Sequence, residues 1–297
     1  MRLRSVELET PQADVGVRFL TGIWGLRDAG RRGNTNYLRA TEAFPYVLAL
    51  TPGDKHLITS VTLEGSVEEI GKVRERAQAK GCPVTATRDF DEPGRPSGFY
   101  LEGPEGQVYR LVTDREPAQA LPAERDRPLQ LTHAVLNVTD RVAATQFVQE
   151  VLGFRLSDRT RVMSFLRCER THHSIALADA KVSSLNHLAF EMQSLDSVMR
   201  GIGRMQDHGH PQLWGPGRHG PGNNVFSYFA APFGGIIEYT SEIQRVGEDY
   251  RTGAPEDWTW EPNRSDHWGV GGRDAARMSE AEKQFRFKAL EGATAMA

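Results

Sequence analysis

The chain has 297 residues, with 36 lysines and arginines against 39 acidic residues and a net charge of −3. That near-neutrality excludes the basic footprint of nucleic-acid binding and a polybasic membrane patch, and no apolar run approaches the roughly 18–20 residues a bilayer span needs. The length suits two domains, and with 39% hydrophobic residues each can bury a core. The segment Met1–Glu7 lacks the apolar core of a secretory signal, and two cysteines, Cys82 and Cys168, are too few for a disulfide framework. A cytoplasmic location is therefore the expectation.

In chain order, the first pattern is Arg4-Ser5-Val6-Glu7-Leu8, which recurs 128 residues later as Thr132-His133-Ala134-Val135-Leu136. The same offset matches Phe19 with Phe147, Gly25 with Gly153, and Ser66 with Ser194, each serine opening a helical pattern. It also lays Pro104–Leu111 over Pro232–Tyr239. One period held this long marks tandem copies. The boundaries read as 1–118 and 128–243, with the Pro- and charge-rich Glu116–Pro128 as linker and a polar tail over 244–297.

Within the second copy, Leu131–Val138 alternates as a strand, and Ala143/Ala144, Phe147/Val148 and Val151/Leu152 recur at helical spacing. Gly153 suits the position past the helix end. Strands are predicted over Met163–Cys168, His173–Ala178 and Leu185–Met192, then a helix from the stripe Leu195, Val198, Met199, Ile202 and Met205. Two further strands, Val225–Ala230 and Ile236–Thr240, flank a turn holding Pro232, Gly234 and Gly235. Each copy reads strand–helix–strands twice over, so the fold class is α+β with strongly curved sheets.

His133, His187 and Glu238 fall near the middle of three of these strands. The first copy has Ser5, Ser60 and Arg110 there, so the trio is no requirement of the fold. Two imidazoles and a carboxylate form the facial triad that holds Fe(II) with open coordination positions; Mn(II) suits the same ligands. A turn centred on Phe233 sets Tyr228 directly opposite Glu238 on one face. A hairpin between His173–Ala178 and Leu185–Met192 would put His173 on the face of His187. His172, next along, is expected to point away from the site in a structural or surface role. His56 is expected in an exposed polar turn.

Four segments resemble the type I extradiol ring-cleavage dioxygenases of the vicinal oxygen chelate superfamily. They are Leu131–Val138, Leu185–Glu191, Gly235–Thr240 and, most specifically, Gly215-Pro216-Gly217-Arg218-His219-Gly220. The resemblance spans nearly the whole chain and implies two domains of paired βαβββ units, each curled into an incomplete barrel, the first metal-free and the second metal-bearing. It makes His133, His187 and Glu238 the metal ligands, His173 the acid–base histidine, and His219 with Tyr228 a hydrogen-bonding pair on the substrate. It implies a catecholic substrate, O2 and a homo-oligomer. Some relatives carry an arginine where this chain has Trp214, and a polar residue where it has Val135. Both changes point to an apolar, alkyl-, aryl- or polycyclic-substituted diol, with Phe165, Phe190 and Phe226 as further wall candidates. Two alternatives stay open: another metal-dependent enzyme of the superfamily (a glyoxalase, epimerase or thiol transferase), and a metal-free protein that sequesters a ligand. In the tail, Trp258, Trp260 and Trp268 argue for packing over the second copy's mouth or against another subunit, and Met278–Leu290 reads as a short helix.

Overall fold

The computed structural model describes residues 1–122 and 124–290. The first half runs β1 (Arg2–Thr10), α1 (Ala13–Phe19), β2 (Arg27–Arg32), β3 (Thr35–Arg39), β4 (Leu48–Pro52), β5 (Leu57–Glu64), α2 (Val67–Ala79), β6 (Arg88–Asp89), β7 (Ser97–Glu102) and β8 (Val108–Thr113). The second runs β9 (Gln130–Val138), α3 (Arg141–Glu150), β10 (Arg155–Arg159), β11 (Met163–Arg167), β12 (Ile175–Asp179), β13 (Ser184–Glu191), α4 (Leu195–Asp207), β14 (Gln212–Arg218), β15 (Val225–Ala230) and β16 (Ile236–Ser241). α5 (Ala275–Ala281) and β17 (Arg286–Phe287) follow. No helix among the described residues is long and apolar enough to cross a membrane.

The architecture is mixed α+β, with one curved sheet per half. The sheet orders are β2-β3-β4-β1-β5-β8-β7-β6 and β10-β11-β12-β9-β13-β16-β15-β14. In each βαβββ unit the first strand lies parallel to the last, as β1 does to β4 and β9 to β12. The two units of a half join antiparallel through their first strands, β1 to β5 and β9 to β13. Helices α2 and α4 start where their serines allow: Ser66 and Ser194 accept the amide protons of Glu69 and Ser197. Register shifts in the β9–β13 and β14–β15 ladders break the flat pleat and help to curl the second sheet.

Two expectations need correction, and two strands of the second half had not been foreseen. β12 does not form a hairpin with β13; it pairs parallel with β9, which lies between them. The connection after Asp179 therefore crosses β9, because a βαβββ unit closes on its own first strand. β10 and β14 had no sequence signal strong enough to register, since Arg155–Arg159 is polar and Gln212–Arg218 is punctuated by glycine and proline. The helix expected over Met278–Leu290 lies earlier, at Ala275–Ala281, and Arg286–Phe287 instead pairs with β5 of the first sheet.

One hydrophobic core runs through both halves. At its centre Trp24 stacks on Tyr239 with ring centroids 3.6 Å apart, and meets Phe190 and Phe229 edge-on. The Tyr239 hydroxyl donates to the Trp24 carbonyl at 2.6 Å. These contacts brace the outer faces of β13 and β16, opposite the faces that carry His187 and Glu238.

The positions expected to lack ligands form a buried ionic cluster. Glu7 accepts from Ser5 Oγ (2.5 Å), Ser60 Oγ (2.6 Å), Thr62 Oγ1 (2.6 Å) and Arg110 Nη2 (3.0 Å). Arg110 also donates to Glu92 at 2.7 Å. Burial opposes the charge on Glu7, but Arg110 and the three hydroxyls outweigh it and hold its carboxyl below the usual range. Removing the cation strands two carboxylates in the interior. Arg110→Ala is expected to cost about 3–5 kcal/mol in urea unfolding, with metal content unchanged; a loss under 1 kcal/mol would show that water reaches the cluster.

Candidate metal centre

Three adjacent strands supply the centre: His133 from β9, His187 from β13 and Glu238 from β16. Ladder register explains their convergence. Ala189 pairs with His133 on one side and with Glu238 on the other, so a single methyl side chain separates the imidazole from the carboxylate. The three ligand atoms lie within 4.8 Å of one another, and all three residues are buried.

Polarity at the centre fits a cation. His187 Nδ1 donates to Asn186 Oδ1 at 2.7 Å, which leaves Nε2 as a lone pair. That Nε2 is buried without a hydrogen bond, 3.1 Å from Glu238 Oε2. His133 Nε2 lies 3.3 Å from the same oxygen. A lone pair facing a carboxylate is unfavourable unless a positive ion sits between them. Burial would raise the Glu238 pKa, yet His133 and His187 overcome it and hold the carboxyl well below its usual range. Burial pulls His187 down, and Glu238 only partly opposes it. An ionised carboxylate with neutral imidazoles is the state a divalent metal requires. Fe(II) and Mn(II) both suit this donor set.

Around the triad lies a cavity of about 420 Å³. His173 enters it from the segment before β12, its ring centroid 4.3 Å from that of His133. His219 stacks on Phe226 at 3.9 Å and its Nε2 lies 2.8 Å from the Tyr228 hydroxyl. Tyr228 pairs directly with Glu238, as the turn geometry predicts. Burial pushes His219 down to about 4, holds His173 well below its ordinary value, and raises Tyr228. Val135, Phe165 and Trp214 line the wall, joined by Val162, Met163, Pro221, Trp260 and Met278. Phe226 packs beneath His219 and Trp214.

Phe190 is the misplaced candidate. It is fully buried on the opposite face of β13, against Trp24, because the strand's two-residue period turns it away from His187. His172 is buried outside the cavity lining, in keeping with a structural role, but not by strand alternation: residues 171–174 do not continue a regular strand, and its Nδ1 meets His173 Nδ1 at 3.0 Å. His56 is half-buried, bonded to Thr10 Oγ1 at 3.0 Å and packed on Phe285. Sequence reasoning missed Asn186, although it adjoins His187; of the tail it had named Trp260 for packing over this mouth or against another subunit, but not Arg264, Ser265, Arg273 and Glu282, which also line the cavity. The tail runs against β14 because Gly271 has no side chain: a Cβ there would meet the Gly215 carbonyl carbon at 2.2 Å. Arg273 then lies over the Trp214 ring at 4.8 Å.

A family model described as Glyoxalase/Bleomycin resistance protein/Dioxygenase superfamily matches residues 130–239. The chain is 32% identical over 263 residues to 2,2',3-trihydroxybiphenyl dioxygenase of Sphingomonas paucimobilis, covering 78% of this chain and 85% of that protein. It is 27% identical to an iron-dependent extradiol dioxygenase of Rhodococcus jostii, over 84% of this chain and 90% of that one. Its match to metapyrocatechase 2 of Cupriavidus necator, 32% identical, spans 58% of this chain and only 54% of that protein. Among solved structures, a Mn(II)-bound glyoxalase from Novosphingobium aromaticivorans superposes with a TM-score of 0.85 at 32% identity, covering 93% of this chain and 92% of that one.

Two measurements test the centre. Asn186→Ala removes the acceptor that orients His187 and is expected to weaken Fe(II) or Mn(II) binding by about 10–100-fold; unchanged affinity in a metal titration would remove Asn186 from that role. The lowered histidines stay neutral in the fold but charge on unfolding below about pH 6.5. Metal-free protein should therefore lose stability as pH falls from about 6.5 toward the value of about 4 for His219, read as a falling urea midpoint. A flat midpoint over that window would contradict the burial.

Proposed function

We propose that this chain, which belongs to the extradiol ring-cleavage dioxygenases of the Glyoxalase/Bleomycin resistance protein/Dioxygenase superfamily, opens the ring of an apolar alkyl-, aryl- or polycyclic-substituted catechol. Both atoms of O2 enter the product, and the bond broken lies next to the diol rather than between its hydroxyls. The observation that carries this reading is one constellation. A two-histidine, one-carboxylate set shares a mostly apolar cavity with three further hydrogen-bonding groups, His173, His219 and Tyr228.

His133, His187 and Glu238 would hold Fe(II) or Mn(II), which when bound supplies the site where diol and O2 meet. The neutral imidazole of His173 is suited to hold a proton taken from the diol and return it as the ring opens. Tyr228, fixed by His219 Nε2 at 2.8 Å, offers its hydroxyl to a substrate oxygen. Trp214 stacks over Tyr228 at 5.4 Å and keeps that hydroxyl oriented. Val135, Phe165 and Trp214 give the ring substituent an apolar seat, and Trp260 from the tail helps to exclude water. The likeness to a Mn(II)-bound glyoxalase favours a second reading, isomerisation without oxygen, on the same metal ligands.

One assay separates the two. Protein loaded anaerobically with Fe(II) or Mn(II), given a catechol and then air, should take up O2 and form a yellow ring-fission product. An aryl- or alkyl-catechol should exceed 3,4-dihydroxyphenylacetate in kcat/KM by about tenfold or more. His173→Phe should lower kcat by about 10²–10⁴-fold. No oxygen uptake with any diol, together with turnover of a hemithioacetal, would establish the second reading instead.

A further inference from the structure

Behind His173 lie two buried polar groups, Asp158 and His172, that the reaction as described does not use. Asp158 Oδ2 lies 2.7 Å from His172 Nε2, and His172 Nδ1 lies 3.0 Å from His173 Nδ1. Asp158 and His172 are fully buried and His173 is 3% exposed. The tail secures the far end: the Gly253 amide donates to Asp158 Oδ1 at 2.8 Å, and the Tyr250 hydroxyl donates to the same carboxylate at 3.3 Å. At the near end, Gly222 packs so closely on both imidazoles that a Cβ there would meet His172 Nδ1 and His173 Cε1 at 3.2 Å.

With His172 neutral and Asp158 ionised, the order of donors and acceptors from Asp158 to His173 is fixed. A carboxylate only accepts, so His172 must carry its proton on Nε2, and a neutral His172 then offers Nδ1 as a lone pair. The 3.0 Å contact is a hydrogen bond only when His173 donates from its own Nδ1. That leaves His173 Nε2 as a lone pair, and this atom has no protein partner among the described residues while its ring lines the cavity.

We propose that Asp158 and His172 are positioning residues that fix His173 as its Nδ1–H tautomer and so aim the Nε2 lone pair at the diol. With the other tautomer, two lone pairs would face each other at 3.0 Å and Nε2 would present a proton to a group that must lose one. The inference rests on the reading that His173 faces the substrate, but its test does not need turnover.

Histidine-¹⁵N-labelled protein loaded with Zn(II), a diamagnetic probe, would be examined by two-bond ¹H–¹⁵N correlation, with His173 assigned from the signals lost in His173→Gln. The expected pattern is a protonated Nδ1 and a bare Nε2. His172→Phe and Asp158→Leu should move His173 to a tautomer mixture or to Nε2–H, and His172→Phe should lower kcat about 10²-fold with KM little changed. His172→Gln keeps an acceptor oxygen for the Nδ1–H and should retain both the tautomer and most of the turnover. Wild-type protein with His173 protonated on Nε2 would overturn the proposal. So would a folded, metal-loaded His172→Phe that kept the Nδ1–H tautomer. Wild-type protein that shows the expected tautomer yet opens no catechol supports the positioning and sinks the proposed reaction.

Discussion

A buried carboxylate that must be neutralised organises each half of this protein. In the second half Glu238 is fully buried, with two imidazole nitrogens within 3.3 Å of one oxygen, Asn224 Nδ2 donating to the other at 3.4 Å, and no ammonium or guanidinium beside it among the described residues. In the first half Glu7 meets Arg110 and three hydroxyls. The two solutions sit at corresponding places in the ladder, for Ser60 pairs with Glu7 as His187 pairs with Val135. A carboxylate withdrawn from water needs compensating charge or donors. One half provides both from its own side chains, and the other leaves the charge to a metal ion. Between otherwise similar sheets, this difference separates a structural half from a chemical one.

Much of this was legible because repetition and alternation are written in residue types. The 128-residue offset sets β9 over β1 and β16 over β8, and Tyr228 lies opposite Glu238 because a short turn leaves little freedom of register. His133, His187 and Glu238 stood out as polar residues within apolar strands. What alternation could not reach was whatever broke the strand period. The direction of His172 was misjudged because its segment is irregular, whereas Phe190 was proposed as a wall residue against the strand period, which turns it away from His187. The β12 partner was missed because neighbours in sequence were taken as neighbours in the sheet, whereas the first strand of the unit lies between them.

The cavity itself was the least legible part. Its floor comes from the second sheet, but part of its wall comes from Trp260, Arg264, Arg273 and Met278, beyond the last strand of the repeat. Such residues belong to no period; the segment follows β14 through backbone bonds from His267 to Arg218 and from Asp274 to Leu213, with Gly271 packed on Gly215 between them. The same tail anchors Asp158 through Tyr250 and Gly253, so substrate wall and histidine support share one covalent source.

That tail ends its described course as β17, laid parallel to β5 in the opposite sheet. During synthesis the first sheet is therefore made early but finished late, since the strand that covers Leu57 and Ile58 leaves the ribosome after the entire second half. A nascent chain stopped short of Arg286 and Phe287 would carry both sheets with one side of Leu57 and Ile58 unpaired.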